Sequence, residues 1–402
     1  MASIVQRNRS FCVVYNIYEE GKRKQKWETY YTRELALRRK SQIEMLKEIQ
    51  LETIQLKKQH SGETIADFMA EYVDVYGRIH WSCSTYTSNC SLIRNYIIPN
   101  FGAMRFSDFT PRTISAIYSE LLKRQPFTKP AYANRIITPQ TLGSIHRIMH
   151  SAFEQAVLWE YIEQNPFHKV ALPKAYPGTP DMLLPEDIAY LMQECSSPEL
   201  LLALHLAFAG TLRKGEILGL TWNDISFQSS SVTVNKTLKR VRRNALTALD
   251  YKDILHEFAG MYPDSRTAVV LKKPKTRSSI RVVYLPAHVM ELLHDWKKHT
   301  QLNTAPDLIF HHSNGWPFQE ESLNAMLEKE LLRLGLPKVT FHSLRHSSIT
   351  YKLMLTGGDI KSVQGDSGHA QADMITELYG HVIDAGRIAC AQKFQDSFYS
   401  RL

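Results

Sequence analysis

Four residues near the C-terminus have the side chains that phosphoryl transfer requires. His342 and Arg345 are three positions apart, which puts them on one face of a helix. His369 follows Gly368, and Tyr379 comes ten residues later. Arginine binds phosphate oxygens, histidine exchanges protons, and a tyrosine oxygen can act as a covalent nucleophile. Each residue taken alone is more often an ordinary packing or polar residue, so the set needs support from elsewhere.

An arginine earlier in the chain extends this set. Arg213 lies in the segment LRKGE, three positions before Glu216. The carboxylate of Glu216 can therefore orient the guanidinium, and a simple surface ion pair is the alternative.

A lysine completes the set of candidate site residues. Residues 271–286 (LKKPKTRSSIRVVYLP) are expected to form a β-hairpin, with Lys275 near its bend. Lys272 and Lys273 lie in the same segment, so they remain alternatives to Lys275 as the functional lysine.

Composition limits what kind of protein carries these residues. A chain of 402 residues suggests two or three domains, and 44% hydrophobic with 22% charged residues is typical of globular folding. It has no run of about 18 apolar residues, and its first residues lack the apolar segment of a signal peptide. The five cysteines are scattered and complete no zinc pattern. We expect a reduced, cytoplasmic protein with no membrane span and no bound metal.

The positive charge is concentrated at the N-terminus. The net charge is +9, which favours a polyanionic partner. Residues 1–60 hold 13 Lys and Arg against 7 Asp and Glu, whereas residues 61–178 hold 11 against 9, and residues 179–402 hold 25 against 24. This distribution predicts a nucleic-acid-binding module at the start of the chain.

Residues 1–60 are predicted to form a small α+β domain. Residues 11–18 and 24–31 read as two strands joined by a turn, and Thr32 can cap a helix over residues 33–60. Such a sheet can enter a DNA groove, and a solvated basic hairpin is an equally good interpretation. The predicted DNA contacts are Lys22, Arg23, Lys24 and Lys26.

Residues 61–178 are predicted to form an all-α domain followed by a linker. One helix is expected from Thr85 to Tyr96, ending before Pro99, and Thr85 and Tyr86 are predicted DNA contacts. Thr110-Pro111 and Thr138-Pro139 each begin a helix, because Thr caps and Pro favours the first helical position. The second of these helices is expected to end at Asn165-Pro166.

Residues 179–402 are predicted to form a mixed, mainly α domain with a small antiparallel sheet. Strands are expected within residues 222–234 and 271–286, whereas the sequence does not resolve residues 240–268. Helices resume at Ala287 and continue to a tail, residues 386–402, with apolar residues at helical spacing. The tail is expected to cover its apolar face either on its own domain or on another subunit.

The order Arg213, Lys275, His342-x-x-Arg345, Gly368-His369 and Tyr379 resembles the tyrosine recombinase (phage integrase) family. The layout before it is similar to integrases of Gram-positive conjugative transposons and related phages. The resemblance implies a multidomain enzyme with an arm-binding, a core-binding and a catalytic domain, without metal or cofactor. It implies catalytic roles for Arg213, Lys275, His342, Arg345, His369 and Tyr379, with Tyr379 as the nucleophile and Glu216 in support.

The resemblance also implies the reaction and its partners. DNA is cut and rejoined through a 3′-phosphotyrosyl intermediate and a four-way junction, for integration or excision of a mobile element. Four subunits bind double-stranded DNA at core and arm sites, with a directionality factor and a host DNA-bending protein as possible partners, in a bacterial, nucleoid-associated setting. A type IB topoisomerase-like relaxing enzyme and a non-enzymatic DNA-binding regulator are the alternatives.

Overall fold

The computed structural model describes residues 2–7, 10–19, 22–44, 63–126, 136–174, 182–260, 265–274, 279–300, 306–357, 359–367, 391–397 and 399. These residues form two compact units. One contains residues 1–78 and 88–175, and the other contains residues 79–87 and 176–402. The predicted division into domains 1–60, 61–178 and 179–402 stays a prediction.

The chain begins with a three-stranded antiparallel sheet in the order β1-β2-β3. Its strands are β1 Ser3–Arg7, β2 Ser10–Glu19 and β3 Lys22–Tyr30, and helix α1 follows over residues 33–44. The hydroxyl of Thr32 accepts the N–H of Leu35 at 3.3 Å, which confirms the predicted cap. Val13 and Ala36 are buried between sheet and helix. The predicted continuation of this helix over residues 45–60 lies outside the described residues.

The next stretch is helical, as expected. Its α-helices are α2 Ile65–Glu71, α3 Arg78–His80, α4 Cys83–Leu92, α5 Ile98–Phe101, α6 Pro111–Leu121 and α7 Pro139–Leu158. The π-helical segments Tyr72–Gly77 and Ile93–Ile97 and the 3₁₀ turns Phe106–Asp108 and Pro166–Lys169 lie between or after them. The predicted Thr-Pro starts are confirmed, because Thr110 accepts from the N–H of Thr113 and Thr138 from that of Thr141. Phe153 is fully buried in the aromatic core of this helical part.

Two predicted helix ends are wrong. The helical backbone that begins with α4 does not stop before Pro99, because the π-helical segment Ile93–Ile97 and α5 continue it to Phe101. The π-helical segment rearranges the backbone hydrogen bonds, and Pro99 then falls in the first turn of α5, where no intrahelical donor is needed. Helix α7 ends at Leu158 rather than at Asn165, since Glu160 adopts a left-handed backbone angle, with φ of 63°.

The second unit contains most of the remaining helices and two small sheets. Its helices are α8 Pro185–Glu194, α9 Pro198–Phe208, α10 Lys214–Leu218, α11 Arg243–Ala248, α12 Ala287–Thr300, α13 Glu320–Leu334, α14 Phe341–Leu355, α15 Ile360–Ser367 and α16 over residues 391–397, with a 3₁₀ turn at Trp222–Asp224. Its strands are β4 Ile225–Ser226, β5 Ser231–Val234, β6 Thr237–Arg242, β7 Ile254–Phe258, β8 Thr267–Lys272 and β9 Arg281–Tyr284. The predicted fold class, helix-rich with small antiparallel sheets, is confirmed.

The predicted hairpin over residues 271–286 is wrong. Strand β9 pairs with β5, and Arg281 lies opposite Val234. Strand β8 instead pairs with β6 and β7 in a separate sheet, and Lys272 lies opposite Thr237. The two segments therefore belong to different sheets, and residues 240–268, which the sequence left unresolved, supply most of the pairing for β8.

The apolar core of this unit is formed mainly by α9, α10, β5, β8, β9, α12, α13 and the start of α14. By contrast, all seven residues of α16 are exposed, including Phe394 at 55%. Among the described helices, none has the length and apolar character needed to cross a membrane.

Candidate active site

Helix α14 positions two of the predicted site residues. Thr340 caps the helix by accepting the N–H of Ser343 at 3.2 Å. His342 and Arg345 then follow in the first turns, three positions apart and on one face, as predicted. Both residues line the same cavity.

The guanidinium of Arg345 joins three segments of the chain. It is only 1% exposed, and it donates to the backbone oxygens of Thr211 and Ser367. The first of these lies just before Arg213, and the second is the last residue of α15, directly before Gly368-His369. A buried arginine that is held by backbone carbonyls presents its charge in a fixed direction.

The turn before Arg213 depends on this contact. Thr211 is fully buried and adopts a left-handed φ of 54°, a conformation that is costly for a β-branched residue. Its hydroxyl lies 2.9 Å from that of Ser348, one turn after Arg345 on α14. Helix α14 therefore holds both the carbonyl and the side chain of this strained residue, and thereby sets where α10 begins.

Glu216 fixes Arg213, as the sequence predicted. One carboxylate oxygen accepts the backbone N–H of Arg213 at 2.9 Å, and the other accepts from its guanidinium, also at 2.9 Å. A second arginine, Arg281 on β9, donates to both oxygens at 3.2 and 2.9 Å. Burial alone would raise the pKa of Glu216, but the hydrogen bonds and charges of Arg281 and Arg213 outweigh this and lower it.

Arg281 also reaches the end of α15. Its Nε donates to the backbone oxygen of Asp366 at 2.7 Å, and the carboxylate of Asp366 lies 2.6 Å from the ammonium of Lys352 on α14. The same stretch of α15 is thus held by Arg281 and by Arg345. Both contacts fix the residues that lead into Gly368-His369.

His342 lies beside a second histidine. Its ring meets that of His346 edge to face, with centroids 4.4 Å apart. Burial and the charges of Arg345 and Arg213 lower the pKa of His342. Burial, His342 and Arg345 together lower the pKa of His346 to about 4. Both rings are therefore neutral near pH 7, and a neutral ring can donate one hydrogen bond while accepting another.

These residues surround one cavity of about 340 Å³. Arg213, Lys214, Lys239, His342 and Arg345 line it together with one acidic residue, Glu320. The carboxylate of Glu320 lies 3.4 Å from the ammonium of Lys214 and also contacts that of Lys239. An excess of cationic side chains in a cavity of this size suits a phosphate group.

The remaining predicted catalytic residues fall elsewhere. Lys275, His369 and Tyr379 lie outside the described residues. Of the two other candidate lysines, Lys272 is buried at the end of β8 and Lys273 is exposed just after it.

The predicted DNA-contacting residues are not among those that line this cavity. Lys22, Arg23, Lys24 and Lys26 lie on β3, in the other unit, and the last two are exposed. Thr85 and Tyr86 lie on α4. The ring of Tyr86 packs against a buried cluster that includes Cys83 and residues of α11 and β8, so this side chain has a packing role.

Sequence reasoning missed Arg281, Lys239 and Glu320. A signal for Arg281 was present, since it alternates with the buried Val283 on β9 and so occupies an inward position. A charged residue at such a position requires a buried partner. Lys239 and Glu320 are far apart in sequence, and no local pattern predicts their contact.

Comparison with known proteins assigns the chain to a family. The pattern of the Phage integrase family matches residues 181–385, just over half of the chain. The chain belongs to the phage integrase family. The pattern of the family's N-terminal SAM-like domain matches residues 64–122.

Named relatives in the family cover much of the chain. A tyrosine recombinase XerC-like protein of Caldanaerobacter subterraneus is 25% identical over 360 residues, 83% of each chain. The ICEBs1 integrase of Bacillus subtilis is 24% identical over 273 residues, 65% of this chain and 66% of its own. The predicted recombinase family, with its activity of DNA strand cleavage and religation, is therefore confirmed.

Solved structures show the same fold. The Tn1549 transposon integrase in complex with a circular intermediate DNA aligns with a TM-score of 0.63 at 18% identity, covering 82% of this chain and 99% of that one. A lambda integrase tetramer bound to a Holliday junction aligns with a TM-score of 0.53 at 17% identity, covering 92% and 96%.

We expect the two arginines bound to Glu216 to differ in their effect on stability. Arg281 is buried, and its replacement leaves a buried carboxylate undercompensated, so Arg281→Ala should cost roughly 3–5 kcal/mol. The side chain of Arg213 is 38% exposed and Arg281 still neutralises the carboxylate without it, so Arg213→Ala should cost less than about 1 kcal/mol. Urea unfolding of both variants measures this difference. Equal destabilisation by the two changes would show that Arg281 does not anchor Glu216.

Proposed function

We propose that this protein is a site-specific DNA recombinase of a mobile element, which cuts and rejoins DNA through a 3′-phosphotyrosyl intermediate and a four-way junction. The observation that carries the proposal is the convergence of Arg213, His342 and Arg345 on one cavity. Tyr379 follows in the order that the family uses, within the matched range 181–385.

The reaction must preserve the energy of the phosphodiester bond. In the proposed first step, the Tyr379 oxygen forms a bond to the scissile phosphorus and the bond to the 5′ oxygen breaks. Lys275 donates the proton that the leaving oxygen needs. In the second step, a 5′-hydroxyl attacks the phosphotyrosine and releases Tyr379, so no high-energy cofactor is consumed.

The described residues supply the stabilisation of charge. The transition state concentrates negative charge on the nonbridging oxygens, and Arg213 and Arg345 are fixed in place by Glu216 and by backbone carbonyls before DNA binds. Fixed donors stabilise such charge without reorganisation. His342, with its lowered pKa, is neutral and can donate a hydrogen bond to the phosphate, and His369 is proposed to assist the proton transfer at Tyr379.

Tyr379→Phe should abolish the covalent intermediate and leave DNA binding nearly unchanged, because this change removes only the nucleophilic oxygen. A nicked suicide substrate traps the adduct, which survives denaturation and is read on a gel. The matched control is Tyr351→Phe, since Tyr351 stacks on Phe208 and should retain trapping. An adduct formed by the Tyr379→Phe protein would refute the assignment.

The lysine assignment predicts a rescue. Lys275→Ala should block cleavage of an ordinary phosphodiester but not of a 5′-phosphorothiolate, whose sulfur leaving group needs no proton. Lys273→Ala is the control, because the exposed Lys273 is two residues away and should cleave both substrates. The reverse pattern would transfer the role of general acid to Lys273.

We propose double-stranded DNA as the partner, bound at core sites by residues 61–402 and at arm sites by residues 1–60. In the N-terminal sheet, Lys24 and Lys26 are exposed, and the guanidinium of Arg7 lies 4.8 Å from the centre of the Trp27 ring, which is 45% exposed. Exposed cations beside an exposed aromatic ring suit a DNA groove. Binding to double-stranded DNA would place the protein in the cytoplasm, in association with the nucleoid.

The arm-site proposal predicts a change in salt dependence. The Lys24→Ala, Lys26→Ala double variant should lower the slope of log affinity against log salt concentration by about 2 on arm-site DNA, because each lysine that neutralises a phosphate contributes about 1 to the slope. Lys297→Ala, Lys298→Ala, in the other unit, is the control and should keep the slope. An arm-site slope unaffected by the first pair would exclude these two lysines as arm-binding residues.

We propose a homotetramer on paired sites, with a directionality factor and a host DNA-bending protein as further partners. The exposure of all seven residues of α16 supports docking of the tail on a neighbouring subunit. Such head-to-tail contacts can close into a ring. Each subunit then depends on its neighbour for the segment that follows Tyr379.

Deleting residues 387–402 should weaken tetramer formation on paired sites more than binding to a single site, because only the former needs a second subunit. Gel-shift assays on both DNA substrates measure the ratio. Equal effects on both would mean that the tail packs within its own chain.

The two alternative functions have less support. A type IB topoisomerase-like enzyme would share the chemistry, and a non-enzymatic regulator would need only the DNA-binding surface. The named relatives are integrases and recombinases, and no residue type of the catalytic set is missing from the sequence. Junction formation with paired sites separates recombination from both.

A further inference from the structure

A cluster of two histidines and a glutamate lies in the helical part of the first unit, where the recombination chemistry has no role for it. His150 and Glu154 are four positions apart on α7 and therefore share a face. His168 lies on the 3₁₀ turn Pro166–Lys169. One ligand atom from each residue can be chosen so that all three lie within 4.8 Å of one another.

The distance between the two histidine rings fits a shared ion. The Nε2 atom of His150 lies 3.3 Å from Nδ1 of His168, and the rings are nearly perpendicular, with centroids 4.8 Å apart. Two nitrogen ligands of one tetrahedral zinc ion lie roughly 3.3 Å apart, given Zn–N bonds of about 2.0–2.1 Å. The histidine pair therefore already has the separation that a zinc ion requires.

A buried asparagine holds the cluster in shape. The amide of Asn165, which is 5% exposed, donates to a carboxylate oxygen of Glu154 at 2.5 Å and to the backbone oxygen of His150 at 3.0 Å. Its own side-chain oxygen accepts the N–H of Phe167 at 3.0 Å and so fixes the turn that carries His168. Groups that orient ligands in this way are typical of metal sites.

The same contacts also form a hydrogen-bonded network. Nε2 of His168 lies 2.7 Å from the carboxylate of Glu154, and in the metal-free protein this histidine donates there. Its Nδ1 faces Nε2 of His150, and one hydrogen lies between the two rings. A metal ion would take the place of that hydrogen.

We propose that His150, Glu154 and His168 bind one divalent transition-metal ion of the zinc class. Two imidazoles and a carboxylate form a donor set that zinc accepts, with a water molecule in the fourth position. In the metal-free arrangement the carboxylate contacts Nε2 of His168, whereas Nδ1 of that ring faces His150, so the side chain of Glu154 must rotate to reach the ion. The ion would clamp the turn Pro166–Lys169 onto α7, just before the segment that leads into the second unit.

No sequence pattern predicts this metal site. His150 and Glu154 form an ordinary helical pair, and His168 follows fourteen residues after Glu154, across the turn at the end of α7. The expectation of a protein without bound metal rested on the cysteines, and this site uses none.

The test uses the full-length protein after treatment with a chelator. Isothermal titration with Zn²⁺ should give one site per chain, and Co²⁺ should give the visible absorption of a low-symmetry, tetrahedral-like site. His150→Ala and His168→Ala should each lower the affinity at least about a hundredfold, and Glu154→Gln at least about tenfold. Zn²⁺ should also raise the melting temperature of the unaltered protein but not that of His168→Ala.

The chain provides a matched control. His294 lies 3.9 Å from the carboxylate of Asp295 on α12, as an exposed histidine–carboxylate pair in the other unit, and His294→Ala should bind Zn²⁺ unchanged. The side chain of His168 is 59% exposed, so its removal should leave the fold intact, which circular dichroism checks. The proposal would be overturned if Zn²⁺ at about 10⁻⁴ M, far above the dissociation constants typical of zinc sites, failed to bind the unaltered protein. Equal binding by His168→Ala would also overturn it.

Discussion

The buried guanidinium of Arg345 is the group on which the rest of the site depends. By donating to the carbonyls of Thr211 and Ser367, it joins the turn before α10, the helix α14 and the end of α15. A buried arginine without such acceptors would be strongly destabilising, and the carbonyls of irregular backbone need donors in turn. The hydrogen bonds that stabilise the buried charge of Arg345 therefore also fix its direction in the site.

The carboxylate of Glu216 extends this arrangement to the second arginine of the cavity. It is shared between Arg213, which is partly exposed, and Arg281, which is buried. Arg281 neutralises most of the cost of burying the carboxylate, so Arg213 can turn its remaining donors towards the cavity. Arg213 is therefore held in place by Glu216 although its side chain is 38% exposed. The strand β6 packs closely on this part of α10, since a Cβ at Gly215 would lie 2.6 Å from the hydroxyl of Thr237 and 3.1 Å from the backbone oxygen of Leu238.

The sequence predicts features that depend on neighbouring residues, such as helix starts, and misses contacts between residues that are far apart in the chain. Thr110 and Thr138 begin their helices as expected, and the spacing of His342 and Arg345 follows from helical periodicity alone. The failed hairpin shows the limit, since the sequence predicts strands within residues 271–286 but does not reveal their partners. The buried ion pair of Arg281 fails for the same reason, because its partner Glu216 is 65 residues away. The helix end predicted from Pro99 is wrong because the preceding π-helical segment changes the hydrogen bonding that a proline normally interrupts.

The net charge of a whole segment and the charge that lines the cavity are distributed differently in this chain. Residues 1–60 carry most of the net positive charge, whereas residues 179–402 are nearly neutral, with 25 basic against 24 acidic residues. Yet the cavity within the nearly neutral part is lined by Arg213, Lys214, Lys239 and Arg345, with Glu320 as the acidic member. Long-range attraction falls off over a Debye length of about 8 Å in physiological salt, so the overall charge of the catalytic part contributes little at the cavity. The cavity therefore offers a few fixed donors whose short-range attraction salt screens weakly, whereas the net charge of the N-terminal residues acts at a longer range that salt screens strongly.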